Sequence, residues 1–292
     1  MAPAAKNNFR IRSPFMLARL YRADAPASST GLASAPLRDR IATGSPRIAR
    51  VLRVERRRSS ADHGSFDSFA EEYDRYSTLE PPTVRDWLLP RLAGHGRRAL
   101  DAGCGSGRHS MSLADRFEHV VAVDISGSLI EIARRRRHHP RVDYRIESLV
   151  DTVQPGGFDL VFSAFTLHHV PDLDRALVHL RQLIAAGGTA ILIDSVAPRP
   201  TPPRWVNLAG AIREIPMDLQ RHGRRDASWL ARFRTSKPWL DHLAGDRYLS
   251  RRAFGERYGA VFPGAEFHVV GHGLALVWGK SREPGRTAAG AS

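Results

Sequence analysis

Lysine and cysteine are nearly missing from this 292-residue chain, which has three of the first and one of the second, Cys104. A single cysteine rules out an intrachain disulfide and any zinc site built from clustered thiolates. The lack of disulfides fits a reducing compartment, and a cytoplasmic location is the expectation. Long apolar runs are missing too: no stretch reaches the ~20 residues that a membrane-spanning helix needs. Acidic residues are scarce in one region. Residues 1–60 set Asp24, Asp39 and Glu55 against Lys6 and twelve arginines, which is +10 of the formal +14. The remainder, at +4, is close to balanced, so the basicity belongs to a leader and not to the body of the protein.

That leader (1–60) is rich in Ala, Ser, Pro and Arg, without a sustained apolar period. It cannot bury enough surface to offset the entropy of ordering, so disorder is expected, as it is for the polar tail at 281–292. An Arg- and Ser-rich, acid-poor leader also has the composition of an organelle transit peptide, which leaves targeting open. Residues 61–280 remain as one domain.

Within it, Phe66, Phe69, Tyr73 and Tyr76 fall at spacings of three and four, one face of a helix. Pro81 and Pro82 end that helix, and residues 83–92 read as the next. Strand patterns at 97–101, 120–124, 142–146, 158–164 and 188–194 then alternate with helical ones at 108–116, 128–138 and 172–185. Near-continuous apolar strands in this alternation imply a mostly parallel sheet covered on both faces, an open, doubly wound α/β fold. Residues 196–262 interrupt the rhythm with a Pro-rich start and Trp205, Trp229 and Trp239, and read as a helical insertion. Segments 265–270 and 274–279, separated by Gly271-His272-Gly273, pair as an antiparallel C-terminal hairpin.

The chemical signal is Asp101-Ala-Gly103-Cys-Gly105-Ser-Gly107, a strand running into a glycine loop with a helix behind it. Glycines let the backbone turn tightly and approach a ligand. Asp124, twenty-one residues after Gly103, ends the next strand, placed to accept hydrogen bonds from ribose hydroxyls. A dinucleotide loop would need glycine where Arg108 stands. The acid before the first glycine would repel a pyrophosphate and attract the ammonium of an amino-acid moiety. That spacing favours S-adenosylmethionine over NAD.

At this point residues 66–280 resemble the class I S-adenosylmethionine-dependent methyltransferases, closest to the small-molecule members of quinone biosynthesis and natural-product pathways. Asp101, Gly103, Gly105, Gly107 and Asp124 match the family's cofactor motifs. Phe158-Asp-Leu-Val161 with Leu167-His-His-Val170 matches its fourth strand and the helix after it, and Leu183-Ile-Ala-Ala-Gly187-Gly188 the approach to its fifth. Phe66-Asp-x-x-Ala70-x-x-Tyr73-Asp matches a helix folded over the cofactor. The resemblance implies a Rossmann-like methyltransferase sheet of seven strands, S-adenosylmethionine as cofactor, and cofactor contacts from Tyr73, Ile125, Ser148 and Ser163 besides the motif residues. One departure stands out: after the third strand the family commonly has Gly-Asp-Ala, with the Asp on the adenine amino group, and this chain has Glu147-Ser148-Leu149.

His168 and His169, just beyond the fourth strand, are the candidate general bases; Tyr73 is expected to close over the cofactor. The three tryptophans of the insertion are expected to line an acceptor pocket. Arg134–Arg137 ends a helix and reads as a solvated terminus facing the dipole's negative end. Cys104 has no basic neighbours to activate it. No metal site is expected, so activity should survive chelation. The expected reaction is O- or C-methylation of a small-molecule acceptor, a phenol, quinol precursor or other product of secondary metabolism. Two other readings stay open: a nucleic-acid methyltransferase, which lacks the Pro-Pro motif or cysteine such chemistry uses, and an inactive methyltransferase-like binding protein. Neither oligomeric state nor acceptor identity is legible.

Overall fold

The computed structural model describes residues 66–92, 96–154 and 157–279. The leader (1–60) and the tail (281–292) therefore lie outside the described residues. Seven strands form one sheet: β1 Gly96–Ala102, β2 Phe117–Asp124, β3 Val142–Ile146, β4 Phe158–Ala164, β5 Ile184–Ser195, β6 Glu266–Val270 and β7 Gly273–Gly279. Their order is β3-β2-β1-β4-β5-β7-β6. The first five run parallel, and β7 lies antiparallel between β5 and β6. The chain steps outward through β2 and β3 and then crosses back to β4, so the order reverses between β1 and β4. In open sheets a ligand crevice forms outside the carboxyl ends of the strands at such a switch.

Eight α-helices accompany the described strands: α1 Ala70–Leu79, α2 Thr83–Leu88, α3 Arg108–Ala114, α4 Gly127–Arg136, α5 Leu173–Gln182, α6 Arg204–Arg234, α7 Lys237–Gly245 and α8 Arg251–Val261. Side chains alternate across the central strands, which is why these strands are apolar throughout. Leu100, Val161, Ala190 and Leu192 pack under α5 and α8, while Ala99, Phe162, Ile191 and Ile193 pack under α2 and α3. Helix starts follow the sequence chemistry: Ser126, Asp172, Ser236 and Ser250 each accept a backbone N–H from the first turn of α4, α5, α7 and α8.

Around the fifth strand two boundaries differ from the sequence reading. The helix expected over 172–185 ends at Gln182, and β5 begins at Ile184. Gly187 takes φ +80°, and a Cβ on Gly188 would stand 2.7 Å from the Phe158 carbonyl. These glycines let the chain press against β4 across a break in register. The insertion is dominated by α6, which bends at Gly223, where φ is 72° and ψ 177°. The end of the insertion is fastened to the extension of β5 by Ala197 N–H on the Leu249 carbonyl and Tyr248 N–H on that of Pro200.

Candidate active site

The glycine loop follows β1. Gly103, Gly105 and Gly107 all take positive φ, +77°, +53° and +85°. Any other residue at these three positions would be strained. Two also have filled surroundings: a Cβ on Gly103 would meet Thr166 at 2.1 Å, and one on Gly107 would meet Tyr144 at 2.6 Å. At Gly105 nothing lies within 4 Å. The middle glycine thus opens on space while the outer two press against protein. Asp124 closes the loop from β2, accepting Gly105 N–H at 2.8 Å and Ser126 N–H at 2.9 Å, one on each carboxylate oxygen. Two of its four lone-pair directions are used and two remain. Burial raises its pKa above the usual carboxylate range, against those two hydrogen bonds.

Asp101, at the end of β1, is 2% exposed and accepts Ser110 Oγ–H at 2.6 Å. Burial, with the nearby charge of Asp124, pushes its pKa up to about 7. Its partner is therefore α3. Ser163 is fully buried and donates to the Ala102 carbonyl at 2.7 Å. It ties β4 to β1, and no face of it is open to a ligand, which corrects the placement implied by the resemblance. Ile125 is 44% exposed beside Asp124. Glu147 donates its N–H to the Asp124 carbonyl, and Ser148 turns the chain after β3 by accepting Asp151 N–H. Cys104 is buried, which pushes its thiol well above the ordinary value.

A second set of groups stands beyond β4 and β5. Phe165 holds a left-handed backbone, φ 54°, and is the one described non-glycine residue that does so. Such strain costs about 1–3 kcal/mol and marks functional sites. Three residues on, His168 Nδ1 meets Asp194 Oδ1 at 2.5 Å, and its Nε2 faces Asp246 at 3.9 Å. Burial lowers the His168 pKa, but the two carboxylates outweigh it and the net direction is upward. His169 Nδ1 meets Asp246 Oδ1 at 3.1 Å. Its side chain is 27% exposed against 7% for His168. Tyr248 donates its hydroxyl to Asp246 at 2.5 Å. Burial first, then the charges of Asp124 and Asp246 among others, raise the Tyr73 hydroxyl to about 12.

Comparison with known proteins fits this geometry. Residues 100–192 match the family described as a methyltransferase domain. The ubiquinone biosynthesis O-methyltransferase of Xanthomonas campestris is 36% identical over 115 residues, 38% of this chain and 48% of that one. Its counterpart from Xylella fastidiosa is 32% identical over 146 residues, 47% and 59% of the two chains. The chain spans about half the length of these curated relatives. The structure of a DhpI–SAH complex, 20% identical, has the same fold at a TM-score of 0.50, covering 75% of this chain and 94% of that one. Residues 100–192 therefore carry a methyltransferase domain.

The methyltransferase domain is roofed by aromatic residues. Phe66, Phe69, Tyr73 and Tyr76 meet Phe233 of α6 and Trp239 and His242 of α7, with neighbouring ring centroids 4.3–6.5 Å apart. Trp229 stacks on Phe233 at 5.4 Å. Trp205 does not join: it is 64% exposed. The expectation that all three tryptophans line one pocket therefore fails for Trp205, because its helical phase points it outward. His242 is buried, which lowers its pKa to about 4 against the pull of Asp246.

The arginine run is also more than a solvated terminus. Arg136 and Arg137 hold the buried Asp74 of α1 at 2.5 and 2.7 Å, and Arg135 and Arg136 hold Glu71 at 2.6 Å. Asp67 accepts from Ser126 Oγ at 2.6 Å and from Ser128 N–H at 3.2 Å. The helix over the site is thus tied by charge to the end of α4. Sequence reasoning missed Asp194, Asp246, Tyr248 and these acids. Only Asp194, an acid ending an apolar strand, carried a signal of its own. His168, His169 and Asp246 also bring one donor atom each within 4.8 Å of one another, a set that a divalent cation can use. His168 Nδ1, however, already faces Asp194, outside that set, at 2.5 Å.

Proposed function

We propose that this protein transfers a methyl group from S-adenosylmethionine to the hydroxyl of a small phenolic or quinol acceptor. The observation that carries the reading is the closeness of the glycine loop and the histidine cluster: Thr166 donates its hydroxyl to the Gly103 carbonyl at 3.1 Å, and Phe66 packs on both Tyr73 and His169, ring centroids 4.8 and 5.6 Å apart. One roofed space thereby serves a cofactor end and a base end. The names of the curated relatives support O-methylation of a quinone precursor.

The work is divided among the residues of both ends. Asp124 keeps two lone-pair directions for ribose hydroxyls, with Ile125 against the adenine and Ser148 near its edge. Gly103, Gly105 and Gly107 bring backbone close to the ligand, and Asp101 braces the loop through Ser110. Arg108, half-buried at the loop's end, is a cation suited to the cofactor's carboxylate. Bound S-adenosylmethionine supplies a methyl group on a positively charged sulfur that a lone pair can take. His169, the more exposed histidine, is oriented by Asp246 at Nδ1 and offers Nε2 as general base. The acceptor's hydroxyl proton would go to that nitrogen, the oxygen's electron pair would form the new O–C bond, and the methyl–sulfur bond would break with its pair left on sulfur, so that S-adenosylhomocysteine departs as a neutral thioether. His168, clamped between Asp194 and Asp246, positions both acids. The aromatic roof excludes water and aligns the acceptor.

We further propose that residues 61–280 are the complete catalytic unit, with 196–262 as its acceptor-side insertion, and that no metal takes part. Activity undiminished by chelation supports that last point, and loss restored by a divalent ion overturns it. The first experiment is calorimetric titration with S-adenosylmethionine and, separately, NADH. Binding of the former alone, weakened about tenfold or more by Asp124→Ala, supports the reading. No binding by folded protein sinks it and leaves a non-enzymatic binding protein.

A further inference from the structure

The chain leaves β4 through a conformation that L side chains rarely adopt. Phe165 holds φ 54°, and this left-handed residue stops the strand from running on past the sheet. Thr166 can then donate its hydroxyl to the Gly103 carbonyl at 3.1 Å, and the turn Leu167–His169 follows. His168 thereby reaches Asp194 at 2.5 Å, and His169 reaches Asp246 at 3.1 Å. Backbone strain of this kind, about 1–3 kcal/mol, persists only where the surroundings over-determine it. The contacts that hold it are close by. Phe165 N–H donates to the Ile193 carbonyl at 2.9 Å. The Phe165 ring lies flat on His272, with centroids 4.7 Å apart and planes at 13°. Gly273 lets the hairpin turn press in: a Cβ there would stand 3.0 Å from the Phe165 ring and 2.5 Å from the Asp194 carbonyl.

We infer that His272 is a positioning residue: its ring, stacked on Phe165, holds the left-handed backbone that aims His168 and His169. His272 is exposed on the turn between Gly271 and Gly273, so burial of apolar surface does not explain a ring there. The turn itself is fixed, because Gly273 pairs with Ser195 and Leu274 with Asp194 in the ladder between β7 and β5. A ring carried on that ladder is a steady support, and Phe165 is the neighbour it restrains. An aromatic stack contributes about 0.5–1.5 kcal/mol beyond its buried area, the same order as the strain at Phe165. Removing the His272 ring takes away that support while the hydrogen bond to Ile193 remains. The turn after β4 should therefore loosen without unfolding of the sheet. The consequence for turnover rests on the proposed role of His169 as base; the placement of the two histidines is read without turnover.

The test compares His272→Ala, His272→Phe and Phe165→Gly in the full chain by two readouts. The first is the NMR shifts of the ring nitrogens of His168 and His169, assigned through the Gln variant of each. His272→Ala should move or broaden these signals at unchanged circular dichroism. His272→Phe, which keeps a flat ring, should return them to their wild-type positions. The second readout is turnover. In His272→Ala kcat should fall about tenfold or more, with the Kd for S-adenosylmethionine unchanged to within about twofold, and His272→Phe should recover it. Phe165→Gly is an independent check, since glycine takes the left-handed φ without strain. In that background His272→Ala should add nothing to either readout. Wild-type histidine signals in His272→Ala overturn the inference, and so does a His272→Phe protein as impaired as His272→Ala. Effects that add in the double variant overturn it too. A wild type that methylates no phenolic or quinol acceptor refutes the O-methylation reading, and the ring-nitrogen signals then decide the inference by themselves.

Discussion

A buried acid with a raised pKa works against the fold that contains it, and Asp101 is the sharpest case here. Its pKa in the folded chain is about 7, against 3.8 for the free group. Between those values the folded state holds a proton that the unfolded chain has released, so stability falls as pH rises from about 4 to 7 and stays low above. Asp101→Asn keeps an acceptor for Ser110 and removes the charge. The variant should melt higher than the wild type at pH 8, by an amount worth a few kcal/mol at most, since each pKa unit is worth roughly 1.4 kcal/mol. At pH 4 the two should coincide. Equal melting temperatures at both pH values would show that Asp101 ionises freely.

The histidine pair separates at the same scale. In the proposed mechanism His169 offers Nε2 to the acceptor and His168 does not. His169→Gln should lower kcat by about 100-fold or more with cofactor affinity intact. His168→Gln should act as loss of a positioning residue does, with a smaller fall in kcat and a rise in the acceptor's KM. A larger fall in kcat in His168→Gln than in His169→Gln would exchange the roles. The histidines and the glycine loop were legible because their chemistry is local to short motifs. Asp246 was not, since nothing near it in sequence reveals the two histidines almost eighty residues earlier.

At the scale of elements, α1 is held over the site by ion pairs more than by core burial. Its buried residues are Ala70 and Asp74. Burial alone would raise the Asp74 pKa, but hydrogen bonds from Ser106 and Arg136 and the charge of Arg137 win, and the net direction is downward. The sign is then opposite to that of Asp101: this anchor is fully present above the usual carboxylate pKa of about 4 and is lost as pH falls through the lowered value. Asp74→Ala leaves Arg137 facing a void and should cost about 1–3 kcal/mol, discounted for the exposed Arg136. Hydrogen exchange should quicken over 70–79 while the sheet stays protected. Cofactor affinity should fall with it, because Tyr73 rides on this helix. The arginine run was visible in the sequence as charge at a helix end. Its true partners lie some sixty residues away, where periodicity has no reach.

For the whole molecule, the parallel sheet and its reversed seventh strand arise from local patterns of five to twelve residues each, which is why the strands were legible in the sequence. The insertion was legible only as helical: phase along α6 decided that Trp229 turns inward and Trp205 outward, and the bend at Gly223 resets that phase part-way. Charge divides the chain differently from fold. The leader holds +10 and the rest +4, although the cofactor motifs all fall in the nearly balanced part. A chain cut to residues 61–280 should therefore bind S-adenosylmethionine with the affinity of the full chain and melt at the same temperature to within a few degrees. It should also lose the salt-sensitive attraction to polyanions that a segment of +10 confers. Calorimetry and heparin elution of the two forms check both halves. A truncated form that folds but no longer binds cofactor would place part of the site in the leader, and the catalytic unit would have to be drawn around the full chain.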